Sequence, residues 1–293
     1  MPAMTIVFAL FGSLFIGASD FLGGIGAHRR SGLAVTATAQ VAALVVLLPV
    51  ALVMGTGGIQ GREIGLGLLT GVATGLAYAA FFTALARGRM SIVVPVSALT
   101  TAGIPALIGI ATGDGLAALG WIGLGCALVA VPLVTVHEDA SLGDEGSLPG
   151  PPHHPRWPVS RQVIVALASG LGFCWFYVAI GNTETTAGLW PTVANIAAAA
   201  AVTAVLTLGR EGGGALTHPT RFMIGSGLTM AVADIGLTRA LQLGPLEVAA
   251  VLGNLYPVVT VLLAVWFLHE RLHPANVAGI ALAIGGVTLL ALA

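Results

Sequence analysis

Ten long apolar stretches follow one another along this chain, and they decide what it can fold into. They cover residues 4–27, 33–54, 64–86, 91–112, 115–136, 162–181, 187–208, 220–241, 246–268 and 274–293, numbered here as spans 1 to 10. A run of about twenty apolar residues crosses the ~30 Å hydrocarbon layer of a bilayer as an α-helix. The runs are continuously apolar and do not alternate, which excludes transmembrane β-strands. We therefore predict an all-α polytopic membrane protein with ten transmembrane helices.

The low content of charged residues also indicates that the chain is surrounded by a lipid bilayer. Charged residues make up 8% of the chain, whereas soluble domains contain about 25%. The net charge is −1 and all 11 basic residues are Arg, so the chain lacks the basic face that a nucleic-acid partner requires. Cys126 and Cys174 lie inside apolar runs and exclude a disulfide framework. The lipid bilayer is the expected surrounding, with a multi-pass location in the plasma or inner cell membrane.

Residues 137–161 interrupt this pattern with five prolines and four acidic residues. Such a segment cannot bury enough apolar surface to fold and is predicted to be an exposed linker. It separates residues 1–136 from residues 162–293, and each of these parts holds five spans. We predict that each part is one five-helix repeat.

A comparison of the two parts reveals matching residues at an offset of 156. The matches are Gly71 with Gly227, Ala77 with Ala233, Ala84-Leu85 with Ala240-Leu241, Gly88 with Gly244, and Leu99 with Leu255. Because each part has an odd number of helices, the second copy is expected to lie upside down in the membrane. Inverted repeats are typical of transporters, whose substrate site lies near the midplane between the repeats.

The second part carries a more specific resemblance. Residues 239–264 read RALQLGPLEVAAVLGNLYPVVTVLLA and are followed by Glu270-Arg271 and by Gly279. This segment resembles the EamA type of the drug/metabolite transporter superfamily, and the first part is a looser copy, with Thr101 in the position of Pro257. The resemblance implies a ten-helix secondary carrier of small molecules. The substrates of that family are too varied for membership to select one.

Two carboxylates in the middle of spans are the costliest residues in the chain. Asp20 lies in span 1 and Asp234 in span 8, where a charge costs about 2.5–3.5 kcal/mol by insertion scales. A carboxylate there can take up and release a proton, which a proton-coupled carrier needs. The alternative is that each binds helix backbone or an Arg such as Arg239. We predict both as substrate- or proton-binding residues.

Uncharged polar and aromatic residues extend this predicted site. They are Gln40, Tyr78, Ser97, Trp175, Asn195, Asn254 and Tyr256. A polar side chain inside hydrocarbon finds its partner in a neighbouring helix or in a ligand, and hydrogen bonding between helices is the better explanation for Gln40 and Asn195. The resemblance implies a cavity lined by spans 1, 3, 4, 6, 8 and 9. No cofactor is predicted.

Small residues and prolines describe how the helices pack and bend. Gly67, Gly71 and Gly75 repeat every fourth residue and predict a close-packing face on span 3. This face joins two helices of one molecule or two molecules, so a monomer and a homodimer both stay open. Pro257 in span 9 is expected to permit a kink.

The leading hypothesis is secondary transport of a small amphiphilic metabolite or drug, in the export direction, by alternating access and with proton coupling as a candidate. The sequence lacks a phosphate-binding P-loop, so ATP-driven pumping is not encoded in it. One rival is an intramembrane zinc hydrolase, because residues 269–273 read HERLH, an H-E-x-x-H motif. Pro274 follows this motif directly, which breaks the helix that such a site requires. The other rival is a non-transporting membrane scaffold.

The arginines predict the orientation. Nine of them follow spans 1, 3, 5, 7 and 9, whereas only Arg62 and Arg239 belong to the opposite side. Basic residues in short loops favour the cytoplasm, so both termini should face outward and the 137–161 linker inward. The resemblance implies the reverse, because its members usually have both termini inside.

Overall fold

The computed structural model describes residues 2–54, 61–112, 157–244, 252–268 and 274–291, with residues 119, 121–123, 125, 126, 129 and 249. Throughout this part of the chain the regular structure is helical. The helices are α1 (Pro2–Arg29), α2 (Gly32–Met54), α3 (Gly61–Arg87), α4 (Met90–Thr112), α5 (Val159–Gly181), α6 (Trp190–Glu211), α7 (Arg221–Leu243), α8 (Tyr256–Leu268) and α9 (Pro274–Ala291). The all-α fold class is confirmed.

Five helices of the described part are long and apolar enough to cross a membrane: α1 from Met4, then α2, α3, α5 and α6. Shorter apolar helices occur at Met90–Thr101, Tyr256–Leu268 and Val277–Gly286. Both the long and the shorter helices expose large apolar side chains on their outer faces, such as Val53 in α2 and Trp266 in α8. Helices surrounded by lipid have such faces. Predicted span 5 and residues 137–156 of the linker lie outside the described residues, apart from a few single positions in span 5.

Predicted span 9 is interrupted before α8, because Leu252 and Gly253 are helical and a turn follows them. Asn254 and Leu255 form a turn, and the helix starts at Tyr256. Pro257 is thus in the first turn of α8. A backbone N–H at this position has no partner within the helix, so its absence in proline costs nothing, and the fixed φ angle of proline suits a helix. Pro257 therefore lies directly after an interruption of the predicted span, where the sequence predicted a kink.

The first helix of each half of the sequence packs into the other half. Helix α1 lies mainly against α7 and α8, whereas α5 lies against α3 and α4. Ser19 and Ser226 each donate a hydroxyl hydrogen bond to the backbone carbonyl of the other, at 2.9 Å. Thr260 Oγ1 donates to the carbonyl of Gly17 at 3.1 Å, and Thr101 Oγ1 donates to that of Gly170 at 3.2 Å. These bonds connect α1 to α7 and α8, and α4 to α5.

The glycine face of α3 packs against α6 of the same chain. A methyl group on Gly67 or Gly71 would collide with the carbonyl of Pro191 or Asn195, and one on Gly75 would lie 2.9 Å from the Cα of Ala199. The backbones therefore approach as closely as small residues allow. Of the two predicted uses of this face, the structure contains the one within a single molecule.

Seven arginines surround one end of the bundle. Arg29 and Arg221 lie over the ring of Phe222, at 5.4 and 5.0 Å from its centroid. Arg87 and Arg161 lie over Trp157, at 5.3 and 4.2 Å. Arg30 donates to the carbonyl of His218 at 3.5 Å, while Arg89 and Arg210 belong to the neighbouring α3–α4 loop and the end of α6. The loops predicted to share one side of the membrane are in contact at this end.

The arginine-rich end is expected to face the cytoplasm, since basic loops are retained there. In a variant without Cys126 and Cys174, a cysteine replacing Thr217 at this end or Ser147 in the linker should resist a membrane-impermeant maleimide in intact cells. A cysteine replacing Thr185, exposed at the opposite end, should react rapidly and serves as the control. The reverse labelling pattern would contradict the assigned orientation.

Candidate functional site

A partly open cavity lies between helices from both halves of the sequence. Its wall consists of Ile16 and Asp20 (α1), Thr74 and Tyr78 (α3), Thr101 (α4), Phe173, Phe176 and Tyr177 (α5), Asn195 and Ile196 (α6), Asp234 and Leu237 (α7), and Asn254 and Tyr256. The contributions from α1, α3 and α5 include pairs four residues apart, which lie on one helix face. The cavity is therefore assembled from one stripe of each helix.

The carboxylate residues Asp20 and Asp234 both line this cavity. Asp20 is 2% exposed and Asp234 is 7% exposed. Asp234 Oδ2 has no hydrogen-bond partner among the described residues. Arg239 is five residues further along α7 and thus about 140° around the helix, and it is not part of the cavity wall. The predicted alternative, in which Arg239 neutralises Asp234, does not occur in the described structure.

Aromatic rings cover one side of the cavity. The ring centroids of Tyr78 and Phe173 are 4.5 Å apart, and those of Phe176 and Tyr177 are 6.0 Å apart with nearly perpendicular planes. Tyr78, Tyr177 and Tyr256 line the same cavity as Asp20. The site thus combines acidic groups with π-faces, which attract positive charge.

The two predicted amides in spans 2 and 7, Gln40 and Asn195, have different surroundings. Asn195 Nδ2 donates to Thr70 Oγ1 at 3.0 Å and to Thr74 Oγ1 at 3.3 Å, joining α6 to α3, while its Oδ1 has no partner among the described residues. Gln40 is fully buried outside the cavity wall. Asn195 therefore both connects helices and lines the cavity, whereas Gln40 does not reach it.

Two further predicted residues do not line the cavity. Ser97 is fully buried in α4, where its carbonyl accepts a hydrogen bond from Thr101 Oγ1 at 2.9 Å. Trp175 is 54% exposed on the outer surface of α5, which corrects its predicted place in the site. Successive helical residues differ by about 100°, so the helix face that carries Phe173 and Tyr177 points away from Trp175.

Six of the nine predicted residues share the cavity: Asp20, Tyr78, Asn195, Asp234, Asn254 and Tyr256. The predicted site residues did not include the other eight members of the wall, which are Ile16, Thr74, Thr101, Phe173, Phe176, Tyr177, Ile196 and Leu237. A helical signal was present for some of them, because Ile16 precedes Asp20 by one turn and Thr74 precedes Tyr78 by one turn. The H-E-x-x-H motif at 269–273 lies outside the described residues. Among the described residues no group of three His, Cys, Asp or Glu is suited to a metal ion.

Comparison with known proteins gives a family and a fold. The model of the EamA-like transporter family matches residues 163–292, so the resemblance inferred from residues 239–264 is confirmed. One solved crystal structure of a protein is similar over 98% of this chain and 96% of that chain, with a TM-score of 0.67 and 15% identity, and shows the fold alone. A search of curated proteins finds no significant match.

Proposed function

We propose that this protein is a secondary active exporter of small molecules. The match over residues 163–292 places it in the EamA-like transporter family, and it is a multi-pass protein of the cell membrane. Its substrate is an amphiphilic metabolite or drug that binds in the cavity. The halves of the molecule rock around this site and open it alternately to the two sides of the membrane.

The proposed architecture is ten helices arranged as two inverted repeats, residues 1–136 and 162–293, joined by the linker 137–161. Two mirrored contacts support it. Gly71 of α3 lies against the carbonyl of Asn195 in α6, and Gly227 of α7 lies against the carbonyl of Ala39 in α2. Both the glycines and their partners are 156 residues apart, the offset of the sequence repeat. The exchange of α1 and α5 between the halves fits the same symmetry.

The observation that carries the proposal is the cavity, which holds two carboxylates in the middle of membrane-spanning helices. A charge at that depth is costly and is retained where it serves an ion or a substrate. Since neither carboxylate faces a basic side chain of the cavity wall, each is available to carry a proton. We assign Asp20 to proton coupling.

The direct test is transport by the purified full-length protein in liposomes. A thermal-shift screen against metabolite and drug collections would first select compounds that raise the melting temperature. Those compounds should then cross the liposome membrane faster when a pH gradient is imposed. Stabilising compounds that are never transported would contradict the carrier and favour the scaffold.

For the zinc hydrolase alternative we expect a negative result. Metal analysis of purified protein should find well under one zinc per chain, because Pro274 interrupts the helix that two zinc ligands at i and i+4 require. Replacement of His269 by Ala should leave transport near the wild-type rate. Stoichiometric zinc that disappears in this variant would revive the hydrolase.

A further inference from the structure

The geometry of the cavity points to its substrate class: we infer that it binds an amphiphilic organic monocation, with a protonated or quaternary amine on an aromatic or aliphatic body. This inference rests on the proposed transport function and adds the charge and the shape of the substrate. Three features of the cavity wall support it, namely its negative charge, its aromatic rings and its apolar side chains.

The wall has negative groups and lacks positive ones. Asp20 and Asp234 face the cavity, whereas Arg and His are absent from its described wall and the chain contains no Lys. Residues 245–251, beside the cavity residue Asn254, also contain no Arg or His. A substrate carboxylate or phosphate would lose its hydration without gaining a counter-charge, which is strongly unfavourable. A cation would instead find two carboxylates.

The rings supply the second half of a cation site. Tyr78 and Phe173 form a corner with centroids 4.5 Å apart, and Phe176 and Tyr177 form another with centroids 6.0 Å apart. A cation within about 6 Å of such a ring face is attracted by the ring quadrupole, and sets of aromatic rings bind quaternary ammonium groups in this way. Ile16, Ile196 and Leu237 provide apolar contact for the body of the ligand.

Asp234 is the carboxylate that we assign to the cation. Asp234 lines the cavity beside Tyr177, and its buried Oδ2 has no hydrogen-bond partner among the described residues. The amide of Asn195, which also lines the cavity, cannot replace it as a counter-ion, because an amide carries no net charge. Asp20 then remains for the exchanged proton.

The test measures saturable binding of radiolabelled benzyltrimethylammonium to the purified full-length protein. An excess of unlabelled benzyltrimethylammonium should displace the label, whereas equal concentrations of phenylacetate or of neutral 2,2-dimethylpropylbenzene should not. Replacement of Asp234 by Asn should weaken binding by at least about tenfold, as expected for the loss of a buried charge partner. Asp234→Glu should retain part of the affinity, which separates loss of charge from loss of folding.

The rings are tested by a matched pair. Tyr78→Phe keeps the π-face and should change the affinity by less than about threefold, whereas Tyr78→Leu should weaken binding by about tenfold. Glu63→Gln serves as the control, because Glu63 is buried but lies outside the cavity wall. No saturable cation binding, or displacement by phenylacetate or the neutral compound as effective as by the cation, would overturn the inference and leave the transporter proposal standing. Saturable cation binding without transport would support the inferred ligand class and contradict the transporter proposal.

Discussion

Replacement of Asp20 by Asn is expected to abolish proton-driven transport and to leave the protein folded. The asparagine keeps the size of the aspartate but cannot exchange a proton. Asp20 is 2% exposed and faces the cavity from α1, so the substitution removes a costly buried charge and opens no void. The measurement is uptake into proteoliposomes under an imposed pH gradient, compared with substrate exchange in the absence of a gradient.

The control for this experiment is another buried carboxylate, at the end of a helix. Glu63 begins α3, is 2% exposed, and its Oε1 accepts a hydrogen bond from the backbone N–H of Glu184 at 2.9 Å. Glu63→Gln keeps that acceptor and should transport at close to the wild-type rate. Gradient-driven uptake at the wild-type rate in Asp20→Asn would contradict the assignment of proton coupling to Asp20. Asp234 would then be the carboxylate to test for that role.

Much of the site could be predicted because polar groups are rare in this chain. A carboxylate or amide in the middle of an apolar helix requires a partner or a cavity, and Asp20, Asp234 and Asn254 all line the same cavity. The helices themselves follow from uninterrupted apolar runs of spanning length. These parts of the prediction depend on the free-energy cost of placing a polar group in hydrocarbon, and that cost can be judged from the residue type alone.

The direction in which an apolar residue points could not be predicted. In α5 the residues on all sides are hydrophobic, since one side meets lipid and the other meets protein, so no amphipathic pattern distinguishes Trp175 from Phe173 or Tyr177. The exchange of α1 into the other half also leaves no local signal, because it depends on contacts more than 200 residues apart, such as Ser19 with Ser226.

The close approach of α3 and α6 makes Gly71 a position where a side chain should be strongly destabilising. A Cβ added there would collide with the carbonyl of Asn195 and lie 2.8 Å from the Cβ of Ala198. Backbone atoms cannot move aside as a flexible side chain does, so Gly71→Leu should cost more than the ~1–3 kcal/mol typical of an overfilled core. We expect little monodisperse protein on size-exclusion chromatography and a clearly lowered melting temperature in detergent.

The matched control is in the same helix. Gly65 is exposed, and a Cβ added to it meets nothing within 4 Å among the described residues. Gly65→Leu should therefore keep the wild-type elution profile, and its melting temperature should stay level or rise because leucine favours a helix more than glycine does. Because Asn195 also lines the cavity, any Gly71→Leu protein that folds should bind ligand more weakly, while Gly65→Leu should not. Equal losses in both variants would mean that α3 does not depend on this contact with α6.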